Sequence, residues 1–308
     1  MSDRRHREYT EVSSILRRNT AAFRPLASSL AIVLLWLSAT PATHAAAFTT
    51  DAEIAYTTDD NVTRAQYSAD ILKDQFISVT AGVNYLQWLN TNNRVIYRGF
   101  LRADEFSKYD KLSNVTAGVN VTYQYRESGA FLAPLYGIFF KSAIDEYKSN
   151  LRDSNLYSVG VSWRKPITDR ISTTAVLSGN MRDSDSVVFD TKEVSLLLNG
   201  DYMLGSRWTV YLTYNYLKGD IVSTSVYTTS PRLNFVDNAE VINADDAFAS
   251  GAVAYRLNAQ TNVVALGTNF KLAEKHSLDL SARYVTSHAA AGITYERTQF
   301  SLAYLARF

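Results

Sequence analysis

Apolar and polar residues alternate with a period of two over most of the chain that follows residue 46. In the segment ISVTAGVNY, Ile77, Val79 and Val83 share one side, while Ser78 and Thr80 take the other. Period two places successive side chains on opposite faces of an extended strand. The segments run about ten residues, which is the length of a strand that crosses a membrane at a tilt. The pattern therefore predicts an all-β protein with transmembrane strands.

Twelve strands are predicted, with approximate bounds 48–57, 75–88, 93–104, 112–126, 130–142, 154–164, 170–182, 191–203, 207–218, 250–272, 276–286 and 294–308. A barrel of fourteen strands is the alternative, because the segments IVSTSVYTT and AFASGAVAYRL in the region 219–262 can form an extra pair of strands. The apolar phase also changes between Tyr255 and Leu257 on one side and Val264 and Leu266 on the other. We interpret that change as a β-bulge or a turn.

The connections alternate between short turns, such as LNTNN at 89–93, and long charged loops, such as AIDEYKSNLRDS at 143–154. This alternation is typical of an antiparallel up-and-down β-barrel in an outer membrane. Strands in hydrocarbon must close on themselves, because each unpaired backbone group there costs several kcal/mol. A secreted β-sandwich is the alternative fold, and it would need shorter strands and closer turns.

Aromatic residues recur beside the short turns. An aromatic girdle at one membrane interface is typical of transmembrane barrels, because these rings tolerate the headgroup region. The predicted girdle consists of Trp88, Tyr125, Trp163, Tyr202, Trp208 and Phe308.

The first 45 residues have the features of a secretory signal peptide with an extended basic start. Arg17, Arg18 and Arg24 precede the apolar run Leu26–Ala39, and small residues follow Pro41. The run is too short to span a bilayer comfortably, which favours cleavage near residues 45–47 over a membrane anchor. The predicted organisation is a signal peptide at 1–45 and a barrel at 46–308.

Composition excludes several kinds of site. The 308 residues contain no cysteine, so the chain has no thiol nucleophile, thiolate metal site or disulfide. The formal net charge of +1 gives no general attraction to nucleic acid. No glycine-rich phosphate loop or metal-binding motif is present, so we expect no cofactor, metal or catalytic residue.

Charged residues on the polar side of the strands are expected to line the lumen. Arg94, Arg98 and Arg102 recur every four residues, about 13 Å apart along one strand. One interpretation is a positive path for anionic solutes; the other is a lumen filled by arginine–carboxylate pairs. The main lumen candidates are Arg94, Arg98, Arg102, Lys141, Arg164, Glu193, Asp201 and Arg283, and Arg182 and Asp279 are expected to face inward as well.

The ending QFSLAYLARF resembles the C-terminal signal of Gram-negative outer-membrane proteins, with Phe300, Leu302, Tyr304 and Phe308 on alternate positions. The stretch DDNVTRA, at 59–65, resembles the first loop of putative β-barrel porin families. The resemblance implies a location in the outer membrane of a Gram-negative bacterium. It also implies contact with outer-membrane lipids and lipopolysaccharide, and with the barrel-assembly machinery and periplasmic chaperones during biogenesis.

Three functions are considered. The first is a porin-like or substrate-specific channel for small polar or anionic solutes. The second is a non-conducting barrel that acts in structure, secretion or adhesion through its external loops. The third is an outer-membrane lipid hydrolase, for which Ser287 and His288 in the predicted last external loop are the candidate pair. We expect the chain not to be an enzyme, and the sequence leaves its oligomeric state open.

Overall fold

The computed structural model describes residues 47–226, 238–289 and 292–308. The predicted signal peptide at 1–45 lies outside these residues. Thirteen strands are described, and their bounds are β1 Ala47–Asp59, β2 Asp74–Trp88, β3 Asn93–Phe106, β4 Asn114–Arg126, β5 Leu135–Tyr147, β6 Ser154–Pro166, β7 Ile171–Ser184, β8 Thr191–Met203, β9 Trp208–Ser225, β10 Val241–Ala244, β11 Val253–Ala273, β12 His276–Ala289 and β13 Thr294–Arg307. Single 3₁₀ turns lie at Asp110–Leu112, Asn150–Arg152 and Val187–Phe189. In the described part of the chain, no helix is long and apolar enough to cross a membrane.

The strands form a closed antiparallel barrel. Each wall strand pairs with the next along the chain, and β13 pairs with β1 in a register that places Asp51 opposite Arg307. In the wall, β9 pairs directly with β11. The four-residue β10 pairs with residues 253–256 of β11, beyond the point where the pairing of β11 with β12 ends. The wall therefore has twelve strands, which confirms the predicted number. The alternative of fourteen is wrong, because 221–225 continues β9 and does not start a new strand.

The outward face of the wall is an apolar belt. Leu101, Val115, Ile138, Val159 and Leu212 are all exposed on positions that alternate with inward polar residues. Large contiguous apolar surfaces are unusual on soluble proteins. Because the closed wall pairs its backbone groups, this belt suits hydrocarbon as its surroundings.

Proline determines one strand boundary that the sequence pattern misplaced. β5 begins at Leu135, five positions after the predicted start. Residue 134 is a proline, which has no N–H to give to a strand ladder. The preceding residues instead form a turn, in which the Ala133 N–H donates to the Ala130 carbonyl over 3.0 Å. The connection between β4 and β5 is therefore longer than predicted.

Two strands continue beyond the wall at the end that carries the long loops. β9 has 18 residues and β11 has 21, and they stay paired as far as Ser225 and Val253. Gly219 marks the last pair between β8 and β9 and has a φ of +151°. A Cβ there would lie 2.1 Å from the Lys192 carbonyl oxygen, so only glycine fits where β9 parts from β8.

The phase change in β11 has a different cause from the predicted bulge or turn. The pairing of β11 with β9 is unbroken from Val253 to Phe270. Below the rim, the apolar residues of β11 point outward and belong to the apolar belt, as Val264 and Leu266 do. Above the rim, the apolar residues point inward, and Tyr255 and Leu257 are buried against Ile293 and Tyr295. The apolar side changes because the surroundings of the strand change. The predicted bulge or turn is therefore wrong.

Residues 220–225 and 238–257, which we call the cover, lie across the mouth of the barrel. In a ring of twelve wall strands, β3 and β4 lie opposite β9 and β11. Asp246 nevertheless reaches Lys111, in the β3–β4 loop, over 2.9 Å. The ring of Phe248 lies 5.1 Å from that of Tyr109 in the same loop. The cover and the β3–β4 loop therefore meet across the mouth.

Candidate solute cavity beneath the cover

A cavity of 530 Å³ lies inside the barrel below the cover. It is lined by strand residues of the wall, by the loop between β1 and β2, and by Val222 and Thr224 of the cover. Leu112, Arg152 and Phe189 of the three 3₁₀ turns complete the described lining. Among the described residues, the charged groups on its lining are six cations and two acids: Arg64, Arg102, Lys141, Arg152, Arg182, Arg297, Asp104 and Glu193. A cavity of this volume is in the range that proteins use to hold small ligands.

Four of the cations are neutralised by carboxylates. Arg102 pairs with Asp104 over 2.9 Å, and Arg182 pairs with Asp145 over 3.1 Å. The two other pairs are Arg152 with Asp245, at 2.7 Å, and Arg297 with Asp59. Arg297 holds the Asp59 carboxylate with more than one nitrogen, the geometry that gives arginine–carboxylate pairs their strength. Three of these pairs lie within the wall, and the pair of Arg152 with Asp245 joins the β5–β6 loop to the cover.

The loop between β1 and β2 places Arg64 in the cavity. Asn61 is buried, and its side chain donates to the carbonyls of Ala65 and Glu296 while it accepts from the Ala65 N–H. On the cover side, the Thr224 N–H donates to the Thr63 carbonyl over 2.9 Å. Asn61 therefore fastens the loop to β13, and Thr63 fastens it to the cover.

Arg64 and Lys141 have no ion pair with a carboxylate among the described residues. Lys141 projects inward from β5, and its amine lies 5.1 Å from the centre of the Phe100 ring. Burial lowers the pKa of Arg64 to about 10, and the nearby charge of Arg297 acts in the same direction. The Arg64 side chain is exposed, and it lines the cavity. The solvent in contact with it is therefore the solvent inside the cavity.

Comparison with solved structures gives the type of barrel. An outer membrane channel from Pseudomonas putida F1 matches with a TM-score of 0.53 at 14% identity, over 87% of this chain and 99% of that one. The KdgM porin in complex with disordered oligogalacturonate matches at 0.42 and 12%, over 84% and 99%. The NanC porin matches at 0.43 and 8%, over 83% and 98%. Both porin scores are below 0.5, so the shared fold rests on the Pseudomonas channel.

The chain has the fold of an outer-membrane β-barrel. The predicted resemblance to such barrels is confirmed at the level of the fold. No protein-family model matches the sequence, and no curated protein matches it.

The predicted lumen residues of this outer-membrane barrel all lie on inward positions of their strands, but they do not form one site. Arg102, Lys141 and Glu193 line the cavity, where Glu193 accepts from the Asn180 amide over 3.2 Å. Arg98 lies lower and makes a two-pronged pair with Asp51, at 2.7 Å for each contact. The cavity therefore holds three of the eight main candidates.

The other four main candidates lie at separate places. Arg94 donates to Gln124 over 2.7 Å, and Asp201 accepts from Ser172 over 3.0 Å. Arg164 lies opposite Thr174 in the register of β6 and β7, at the short-turn end. Arg283 on β12 lies opposite Gln299 on β13. Neither arginine has an ion pair in the described part of the chain. The ladder of arginines along β3 is thus divided between local partners.

The predicted girdle residues differ in the direction they face. Tyr125, Trp163, Tyr202 and Trp208 lie on outward positions near the short turns, and the Trp208 ring is 4.8 Å from that of Phe270. Trp88 pairs with Arg94 across β2 and β3, and the Arg94 guanidinium lies 5.2 Å from its ring centre. Trp88 therefore belongs to the inward set, although it ends its strand at the same level as the others.

The C-terminal strand is built as its alternation predicts. Phe300, Leu302, Tyr304 and Phe308 are exposed on the outward side. The Phe308 N–H donates to the Thr50 carbonyl over 2.8 Å, which continues the ladder between β13 and β1 to the last residue. This pairing closes the barrel.

The hydrolase candidates do not form a catalytic pair. Ser287 and His288 lie within β12, not in an external loop as predicted. Adjacent strand residues point to opposite faces, so Ser287 faces inward, where it is buried and contacts the Thr261 hydroxyl at 2.8 Å. His288 faces outward, 3.4 Å from Thr294. A base on the opposite face cannot activate this serine.

Sequence reasoning missed Arg64, Arg152 and Arg297 because it assigned loop and rim charges to the exterior. The stretch DDNVTRA resembles the first loop of β-barrel porin families, but nothing in its pattern shows that this loop folds into the mouth of the barrel. One available signal was the sequence of small polar residues before Arg64, since asparagine and aspartate favour tight turns.

Proposed function

We propose that the protein is an outer-membrane diffusion channel for small polar solutes, with a preference for anions. The observation that carries this proposal is the polar cavity inside a barrel whose outer surface is an apolar belt. A barrel that served only as a membrane anchor would have no need of a charged cavity of this size. The fold shared with the Pseudomonas outer membrane channel supports the same function.

The preference for anions follows from the charges that carboxylates leave uncompensated. Arg64 and Lys141 present two positive charges to the cavity, whereas Glu193 is the one carboxylate without an ion pair on the lining that the structure describes. Charged side chains on a pore wall select ions of the opposite sign, because they lower the electrostatic barrier for those ions. Paired arginines such as Arg98 contribute little to this selection, since their charge is already balanced.

The location and the partners of the barrel belong to the same proposal. The apolar belt and the outward aromatic residues would contact outer-membrane lipids, with the long loops next to lipopolysaccharide. The exposed outward residues of β13 would present the C-terminal signal to the assembly machinery, after delivery by periplasmic chaperones. The cover would lie on the outer side of the membrane.

Conductance in planar bilayers tests the proposal. We expect the purified protein to give discrete current steps, and its reversal potential in a salt gradient to show anion preference. K141E should move the reversal potential toward cation selectivity, because it reverses a charge in the cavity. K148E is the matched control, since Lys148 lies in an exposed loop pair with Glu105 outside the cavity.

An absence of current steps would overturn the channel and favour a barrel that acts through its loops. Equal reversal potentials for wild type and K141E would be compatible with a channel, but they would refute the proposal that the charge of Lys141 sets its anion preference.

A further inference from the structure

We propose that Arg64 binds the negatively charged group of the permeating solute, a small hydroxylated carboxylate or phosphate ester, with Lys141 as a second cation in the same cavity. This inference rests on the proposed function and names the site that would determine its specificity. The solute would sit directly beneath the cover, between the loop that carries Arg64 and the wall.

The backbone around Arg64 is fixed before any solute arrives. Arg64 has a φ of +53°, a left-handed conformation that is uncommon for residues other than glycine. The Arg64 carbonyl accepts from the Ser223 hydroxyl of the cover over 2.8 Å, and Thr63 donates to the Asp70 carbonyl over 2.7 Å. Together with buried Asn61, these bonds hold the turn on both sides. A backbone that is fixed in advance lowers the conformational entropy that binding costs.

The charges around Arg64 leave it in need of an anion. Arg152, Arg182 and Arg297 are close enough to repel it, and each of them already has its own carboxylate. The carboxylates of Asp59 and Glu193 attract it from a distance, but Asp59 is held by Arg297 and neither makes an ion pair with Arg64 among the described residues. Arg64 meets only the solvent of the cavity, and the neighbouring cations make its unpaired charge less favourable there. A bound carboxylate or phosphate would supply the compensating charge, and the guanidinium can hold it with two parallel hydrogen bonds.

The rest of the lining indicates what accompanies the charged group. Ser158, Asn180 and Thr191 line the cavity with hydroxyl and amide groups, and Glu193 adds an acceptor. Groups of this kind hydrogen-bond to hydroxyls, while the Glu193 carboxylate repels further negative charges on the solute. The cavity volume of 530 Å³ admits a molecule of the size of a small sugar acid.

Equilibrium binding of gluconate to the purified barrel tests the proposal, with glucose as the neutral counterpart. We expect gluconate to bind more tightly than glucose, and R64Q to weaken gluconate binding about tenfold to a hundredfold, the range for a hydrogen bond to a charged group. R64N should behave like R64Q, because asparagine tolerates the left-handed backbone. K148Q, outside the cavity, should bind as wild type does.

Retained heat-modifiable migration on gels and an unchanged circular dichroism spectrum will show that each variant is folded. Gluconate binding to R64Q and R64N at wild-type affinity would overturn the role of Arg64. Equal affinity for glucose and gluconate, or an absence of gluconate binding, would overturn the anion site. Current steps without gluconate binding would refute this inference alone, whereas binding without current steps would refute the channel alone.

Discussion

The ion pair between Arg152 and Asp245 should hold the cover closed. The Asp245 side chain is 0% exposed and that of Arg152 is 17% exposed, and their atoms are 2.7 Å apart. Asp245 also accepts from the Thr224 hydroxyl over 2.6 Å and from the Ala247 N–H over 3.1 Å. This carboxylate is therefore the point where the two arms of the cover meet the β5–β6 loop.

Replacing Arg152 by methionine removes the guanidinium, whose carbon lies 4.2 Å from the centre of the Phe189 ring, and leaves the buried carboxylate without its cation. Removing one partner of a buried pair costs about 3–5 kcal/mol. If water reaches both groups when the cover opens, the whole cost falls on the closed state. The ratio of open to closed cover should then rise roughly a hundredfold or more, since 1.4 kcal/mol is a factor of ten.

The absence of cysteine allows a direct assay. A single cysteine in place of Thr191, on the cavity wall, can be labelled with a bulky maleimide applied from the long-loop side. We expect R152M to label much faster than wild type. K148M removes an exposed pair in which Lys148 and Glu105 are 47% and 66% exposed, so it should change the rate by a few-fold at most.

The double variant R152M/D245N separates charge from packing. It contains no buried unpaired carboxylate, and its amide still accepts the bond from Thr224, so its labelling rate should return toward that of wild type. Equal rates for R152M and K148M, or for R152M and the double variant, would refute the argument that the buried pair closes the cover.

Three further predictions concern the cover and the loop beneath it. G219A should raise the labelling rate at residue 191, because the added Cβ collides with a backbone carbonyl 2.1 Å away and must displace β9; an unchanged rate would contradict this. N61A should weaken gluconate binding although Arg64 remains, since buried Asn61 fixes the loop; wild-type affinity would show that the loop needs no such support. Burial would raise the pKa of Asp246, but hydrogen bonds from Ser149 and Lys111 hold it below its usual value. Its contribution to closure is therefore complete above about pH 4 and lost as the pH falls further. D246N should show a larger open fraction than wild type in bilayers at pH 7, and the difference should persist down to about pH 4 and shrink as the pH falls further; its loss by pH 5 would count against the assignment.

The sequence by itself determined the barrel. Period two fixes which side chains share a face, and hydrocarbon accepts only one class of residue on the outer face, so positions such as Leu101 and Val115 reveal the wall. The number of wall strands and the inward direction of Arg98 and Lys141 followed from the same alternation. Closure of β13 on β1 followed from the demand that every backbone group in hydrocarbon be paired.

Only the tertiary structure decided what the inner face and the loops do. The inner face is free of the lipid constraint, so the alternation does not reveal that Arg98 is paired while Lys141 is not. The pairs of Asp59 with Arg297 and of Arg152 with Asp245 join residues far apart in sequence, brought together by barrel closure and by the cover. The burial of Leu257 depends on the same cover, because a strand that leaves the membrane reverses which of its faces is apolar.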